Sequence, residues 1–158
     1  MTENEYIERI YDAWPDEDGA TDSALLALAD EAVHAHPSSA ELWVMRGDLL
    51  VLADRGRDAR DSYEASLSLA PCDVETLESL AYLLDVSFGD VSGAEACFRR
   101  AIDFGGSPDA YAGLARLLTE SDRKSEAITL LDADACPFVH ESQVIRMKAE
   151  ILEGLWDK

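Results

Sequence analysis

Long apolar runs, lysine and paired cysteines are what this 158-residue chain has least of. It contains no stretch of 18 or more apolar residues, which excludes a membrane-spanning helix on composition. The N-terminal MTENEYIER is acidic where a secretory signal is basic and then apolar, so the expected location is cytoplasmic. Its three cysteines, Cys72, Cys97 and Cys136, are odd in number and irregular in spacing; they suit a reducing compartment and resemble neither a disulfide framework nor a zinc site. Lysine occurs three times against ten arginines, and 33 Asp and Glu against 13 Lys and Arg leave a formal net charge of −20. Such a chain repels phosphate backbones and anionic lipid, and Arg99-Arg100 is too short a basic patch to offset that, so nucleic acid and membrane surfaces are excluded as partners. Two readings of the acidity remain. It serves solubility or adaptation to concentrated salt, or it steers a basic partner.

Catalytic and cofactor chemistry is equally sparse. His34 and His36 lie two apart on a helix and point to different sides, which suits surface histidines near a helix C-terminus better than a metal pair. Cys136 and His140 form a lone C-x3-H, too little for a metal site. Carboxylates are so abundant that no pair of them marks acid–base catalysis. Gly105-Gly106 is a helix stop before Ser107-Pro108 and does not cradle phosphate. The expectation is a non-enzymatic protein with no cofactor and no metal.

What the chain does have is helical periodicity. ENEYIERIYDAW, residues 3–14, sets Tyr6, Ile7, Ile10, Tyr11 and Trp14 on one side of a helix that ends at Pro15. Thr21 or Asp22 caps the next, SALLALADEAVHAH, whose Leu25, Ala29, Ala32 and Val33 form a face of mostly small residues. Ser38 or Ser39 caps AELWVMRGDLLVLA, Gly56 marks the turn into RDARDSYEASLSLA, and Pro71 ends it. Helices over 73–86, 90–104, 108–119, 123 to 132 or 134, and roughly 139–155 follow, nine in all with no strand. Connections of a few residues turn each helix back along the one before it.

The stretch Ala40–Pro71 recurs at a period of about 34 residues. Trp43, Leu77, Tyr111 and Ile145 form one column; Gly47, Ala81, Ala115 and Ala149 a second; Leu50, Leu84, Leu118 and Leu152 a third. In the second helices Ala59, Ala94 and Ala127, then Tyr63, Phe98 and Leu131, repeat with one extra residue near Phe88 to Asp90. The small column lets a neighbouring helix approach closely, so Ala81→Leu is expected to overpack that contact and destabilise by roughly 1–3 kcal/mol.

These residues resemble the tetratricopeptide pattern, W-x2-L-G-x2-Y, then A-x3-F, then P. The first unit matches through Trp43, Gly47, Leu50, Ala59, Tyr63 and Pro71, with Arg46 in place of Leu. The second is similar through Leu77, Leu80, Ala81, Leu84, Ala94, Phe98 and Ala101, and the third through Tyr111, Leu114, Ala115, Leu118, Ala127 and Leu131. The resemblance implies an all-α, right-handed superhelical solenoid of antiparallel helix pairs, one domain over 1–158. A divergent pair covers 3–37, repeats cover about 40–73, 74–107 and 108–141, and a capping helix covers about 139–155. In the divergent pair, two extra residues in PDEDGAT align Ile7, Tyr11 and Trp14 with Trp43, Gly47 and Leu50, which puts a large Tyr11 where the pattern has a small residue. In the cap, Lys148 replaces an inward Leu.

In tetratricopeptide domains the concave side, lined by the first helix of each pair, takes an extended peptide or a helix. Four rows on the first helices face it: Glu41, Glu75, Asp109, Gln143; Val44, Glu78, Ala112, Arg146; Asp48, Tyr82, Arg116, Glu150; and Val51, Asp85, Thr119, Glu153. Eight of these sixteen are acidic and two basic, which favours a Lys/Arg-rich segment as the ligand, with Tyr82, Val44 and Val51 as apolar anchors. Affinity is then expected to fall with salt and with an Asp48/Glu75/Glu78 triple Lys variant. Tetratricopeptide domains that clamp the carboxylate of chaperone tails use Lys, Arg and Asn on these helices, and Val44, Asp48, Glu75, Glu78 and Tyr82 carry the wrong charge for that. The expected function is an adaptor, scaffold or holding chaperone. The alternative is a structural or homodimeric assembly component, joined through Trp14 with Tyr6 or Trp156 with Leu155, whose acid serves solubility.

Overall fold

In a computed structural model, which describes residues 1–16 and 21–156, the described residues form nine α-helices and no strand. They are α1 (Glu3–Asp12), α2 (Ser23–Ala35), α3 (Ala40–Leu52), α4 (Gly56–Leu69), α5 (Val74–Phe88), α6 (Val91–Asp103), α7 (Pro108–Glu120), α8 (Lys124–Leu130) and α9 (Ser142–Leu152). None of them is long and apolar enough to cross a membrane. The centre of the PDEDGAT segment, where two inserted residues are expected, lies outside the described residues.

Side-chain caps set where helices begin. Thr2 closes a capping box with Glu5, and Asp22, Ser39, Asp73, Asp90 and Ser107 each accept from a backbone N–H of the first turn that has no partner within its helix. Of the alternative caps, Asp22 and Ser39 are the ones used.

Helices α3, α5, α7 and α9 each end in one recurring turn. A residue of positive φ (Asp54, Gly89, Asp122, Gly154) lets the next N–H return to a carbonyl five or six residues back: Arg55 to Leu50 at 2.8 Å, Asp90 to Leu84 at 2.9 Å, Arg123 to Leu118 at 2.8 Å and Leu155 to Glu150 at 3.0 Å. In the first three, the carbonyl belongs to the Leu50, Leu84, Leu118 column. The extra residue of the middle repeat is absorbed by lengthening α5 to 15 residues against 13 in α3 and α7.

The chain divides into two compact units, Met1–Pro71 and Cys72–Lys158. In the first, Tyr6 and Ile10 of α1 pack with Leu25, Ala29, Ala32 and Val33 of α2 and with Leu42, Met45 and Leu49 of α3. Tyr11, at the position aligned with the small column, is 60% exposed, and Tyr6 and Ile10 supply the buried contacts of α1. Helices α3 and α4 meet where a Cβ added to Gly47 would lie 2.6 Å from the Tyr63 ring. Arg46, the departure from the repeat pattern, bridges helices: its Nε donates to Asp30 at 2.6 Å and its NH1 to Ser62 at 2.5 Å.

The second unit repeats the α3–α4 plan twice, in α5–α6 and α7–α8, and adds α9. Leu77, Ala81, Leu84, Ala94, Phe98, Ala115, Leu118, Ala127 and Leu131 are all buried, as their columns require. Ala81 is fully buried, so the overpacking cost of Ala81→Leu stands at about 1–3 kcal/mol, read as a fall in the chemical unfolding midpoint at unchanged slope. The last helices are shorter than expected. Helix α8 stops at Leu130 and α9 runs only from Ser142 to Leu152, starting after Pro137, which cannot donate to a helix, and Phe138, which packs edge-on against Tyr111 at 5.8 Å.

Candidate functional site: an acidic face on the first helices

The expected binding residues fall in both units, and each unit is taken by itself. On α3, Glu41 and Val51 are exposed while Val44 and Asp48 are half-buried. Asp48 is occupied structurally: Tyr63 donates its hydroxyl to Asp48 Oδ1 at 2.6 Å, locking α3 to α4 beside Gly47. An Asp48→Lys change therefore perturbs the fold as well as the surface.

In the second unit the rows separate into three groups. Ala112 and Thr119 are buried, Thr119 donating its hydroxyl to the Ala115 carbonyl at 2.8 Å, so neither presents a side chain to a ligand. Arg116 and Asp85 face each other at 2.5 Å with side chains 18% and 12% exposed, and Arg116 NH1 also donates to Glu120 at 2.9 Å. That guanidinium is consumed within the protein. The third group is the surface that remains: Glu75, Glu78 and Tyr82 along α5, with Asp109 at the start of α7. No ion pair reaches these three carboxylates among the described residues. Gln143 is half-buried on α9, and Arg146 is exposed there, 3.7 Å from Glu150.

Tyr82 is held in place at both ends. Its ring packs edge-on against the buried Phe98 at a centroid distance of 5.1 Å, and its hydroxyl donates to the Asp109 carbonyl at 3.2 Å. Burial, then the charges of Asp109 and Glu78, push the Tyr82 phenol pKa up. Tyr82 is 37% exposed, a fixed apolar surface edged by carboxylates.

The three acids are not equivalent. Glu75 and Asp109 lie in the first turns of α5 and α7, where the helix dipole favours negative charge. Glu78 sits deeper in α5. Its Oε1 is buried with no hydrogen-bond partner, and burial pushes its pKa up; the nearby Ser107 hydroxyl only partly opposes this, and the Asp109, Glu75 and Asp73 charges add to the rise. An acid whose folded-state pKa is raised binds protons more tightly folded than unfolded, so stability is lost as pH rises from the ordinary carboxylate range through the raised value. Glu78→Gln is therefore expected to raise the melting temperature at pH 7 and to give no gain at a pH low enough to protonate Glu78. Thermal melts at the two pH values check this.

Two supporting residues were not among the expected ones. Phe98 beneath Tyr82 carries no surface signal, since its column marks it only as core. Glu120, four residues after Arg116, was legible as an i,i+4 ion pair on the same helix. Among the described residues no group of three or more His, Cys, Asp or Glu is arranged to hold a metal ion.

No protein-family model matches the sequence, and no curated protein sequence matches it. The fold does match solved structures. YrrB, described as a TPR protein with an unusual peptide-binding site, superposes with a TM-score of 0.63 at 15% identity, over 99% of this chain and 95% of that one. Two MamA structures superpose with TM-scores of 0.63 and 0.64 at 15% identity over 82% of this chain. The chain spans just under two thirds of the first MamA structure, 66%, and 70% of the second. At this identity the likeness establishes the fold alone: the chain has an all-α, tetratricopeptide-like helical-repeat fold.

Proposed function

We propose that the chain is a non-enzymatic protein-interaction module that binds a Lys/Arg-rich peptide or helix on the Glu75, Glu78, Tyr82 and Asp109 face. The observation that carries this reading is Glu78. A half-buried carboxylate with an unpartnered oxygen, next to two more acids and an immobilised tyrosine, costs stability in the unbound protein. A cationic side chain laid across Tyr82 supplies the countercharge that Glu78, Glu75 and Asp109 lack, while the Tyr82 ring offers a face for its stem or its cation. Arg116, whose charge acts on Tyr82, is already spent on Asp85 and Glu120. The YrrB likeness supports a peptide ligand for this fold in general terms.

The net charge of −20 makes any polycation stick to some degree, so the test must separate site from bulk charge. Calorimetric titration of a synthetic Lys/Arg-rich peptide compares the wild type with two triple variants of equal net charge. Glu75→Gln/Glu78→Gln/Asp109→Asn removes the face. Glu8→Gln/Asp61→Asn/Asp103→Asn removes three exposed acids elsewhere. Affinity is expected to drop about tenfold or more in the first, summing three exposed-to-partly-buried charge contacts, and to change little in the second. Equal losses in both variants would reduce the acid to a solubility device.

A further inference from the structure

Among the described residues, helix α9 repeats the first-helix pattern with no second helix packed against it. In the earlier pairs the equivalent residues are Trp43, Gly47 and Leu50, then Leu77, Ala81 and Leu84, then Tyr111, Ala115 and Leu118. Apart from half-buried Trp43 these are all buried, each set packed beneath the second helix of its own pair. On α9 the corresponding Ile145 is 54% exposed, Leu152 is 60% exposed, and Ala149 is exposed between them. The helix instead buries Val144, Met147 and Ile151. Its outer face borders an open cavity of about 350 Å³ whose walls include Leu131, Ala133, Val139, Ile145, Ala149 and Leu152. That cavity lies between the segment following α8 and α9. Gly154, at φ +76, bends the backbone after α9 as Asp54, Gly89 and Asp122 do before α4, α6 and α8.

We propose that a second copy of this chain covers this face, in a two-fold dimer with the two α9 helices antiparallel and Ala149 near the axis. The face is self-complementary. Ile145 and Leu152 are seven residues apart on one stripe, so an antiparallel partner sets Ile145 of each copy on Leu152 of the other. The small Ala149 lets the axes approach. Arg146 and exposed Glu153, also seven apart, share one edge of the stripe, and antiparallel pairing brings like edges together, which lays Arg146 of each copy against Glu153 of the other. Arg146 is available for this, with a side chain 75% exposed and only a 3.7 Å contact to Glu150. Lys148, on the opposite edge, is already neutralised by Asp132 at 2.5 Å.

Charge also selects the place. Two chains of net charge −20 repel wherever acid faces acid. Across residues 142–153, Arg146 and Lys148 balance Glu150 and Glu153, so α9 meets its own copy with little of that repulsion. One helix face is a small contact, well below the area of tight permanent dimers, so the association is weak and concentration-dependent.

Sedimentation equilibrium over a wide concentration range at moderate salt tests this on the whole chain. The wild type is expected to show a monomer–dimer equilibrium, and Ile145→Glu to weaken it about tenfold or more while leaving the thermal melt unchanged, because Ile145 is exposed. Arg146→Glu and Glu153→Arg each place like charges across the axis and are expected to be monomeric alone. Mixed one to one, the two variants restore opposite charges at both contacts and form a heterodimer. A wild type that stays monomeric near millimolar concentration, a dimer that survives Ile145→Glu, or a mixture that fails to associate would each overturn the proposal. The first of those outcomes leaves the face to a helix of another protein. None of them bears on peptide binding at Glu78.

Discussion

Phe98→Ala is expected to cost about 3–5 kcal/mol, a large share of the stability of a domain this size. Phe98 is fully buried on α6 and is the largest of the side chains sealed from solvent. A Cβ added to Gly113 of α7 would lie 2.6 Å from the tip of its ring, so Phe98 fills the contact between α6 and α7 with nothing to spare. It also supports Tyr82 of α5 edge-on at 5.1 Å. Truncation therefore opens a cavity on α6 facing Gly113 of α7 and Tyr82 of α5. Chemical denaturation should show a lower midpoint at unchanged slope, and Phe98→Leu, which keeps most of the volume, should cost under about 1.5 kcal/mol. Because Tyr82 loses its support, basic-peptide affinity should also fall in Phe98→Ala under conditions where the variant is still folded. Loss of stability without any effect on binding would detach Tyr82 from the binding face.

The second large effect is at Arg116. Its guanidinium lies between Asp85 at 2.5 Å and Glu120 at 2.9 Å, and the Asp85 side chain is only 12% exposed. Replacing Arg116 by Leu leaves Asp85 charged, half-enclosed and without its cation, and breaking one side of such a pair costs about 3 kcal/mol or more. The double variant Arg116→Leu/Asp85→Leu removes the stranded charge together with its partner and should recover most of that loss, since an apolar pair of similar volume packs there without desolvation cost. A thermodynamic cycle over the two positions measures the coupling. Additive losses would show that Arg116 acts only through its packing. The result matters for function because Arg116 is one of the two basic residues in the rows facing the expected groove, and a cation committed to Asp85 and Glu120 offsets no other acid on that face.

How much of this was legible in the sequence depends on whether a residue's role is periodic. The helix pairs were legible because packing across repeats forces the same residue type to recur: the small Gly47, Ala81 and Ala115 on the first helices, the buried Ala59, Ala94 and Ala127 on the second, and the Leu50, Leu84, Leu118 column whose carbonyls also anchor the turns. Single-residue departures were legible as departures only. Arg46 stood out against the pattern, yet its reach to Asp30 on α2 and Ser62 on α4 depends on where three helices lie. Asp48 read as a surface acid because nothing in its spacing announces the Tyr63 hydroxyl 2.6 Å away. Thr119 read as groove-lining although it turns its hydroxyl back to its own helix. Glu78 was recognisable as acidic and inward on the first helix, but its unpartnered oxygen is a property of the packed neighbourhood around Ser107, Asp109 and Tyr82. The outer face of α9 illustrates the converse. Its columns were plain in the sequence, while their exposure follows from the lack of a second helix against them among the described residues.

The claim that the Glu75, Glu78, Tyr82 and Asp109 face is a binding site is tested most directly by locating a basic peptide on the protein. Backbone amide chemical-shift mapping during titration with a Lys/Arg-rich peptide, at low and at high salt, reads position and electrostatic character together. The account predicts shifts centred on residues 75–82 of α5 and 107–112 of α7 that shrink as added salt shortens the screening length to a few ångströms. Shifts spread evenly over the acidic surface, or centred on the second helices α6 and α8, would contradict it.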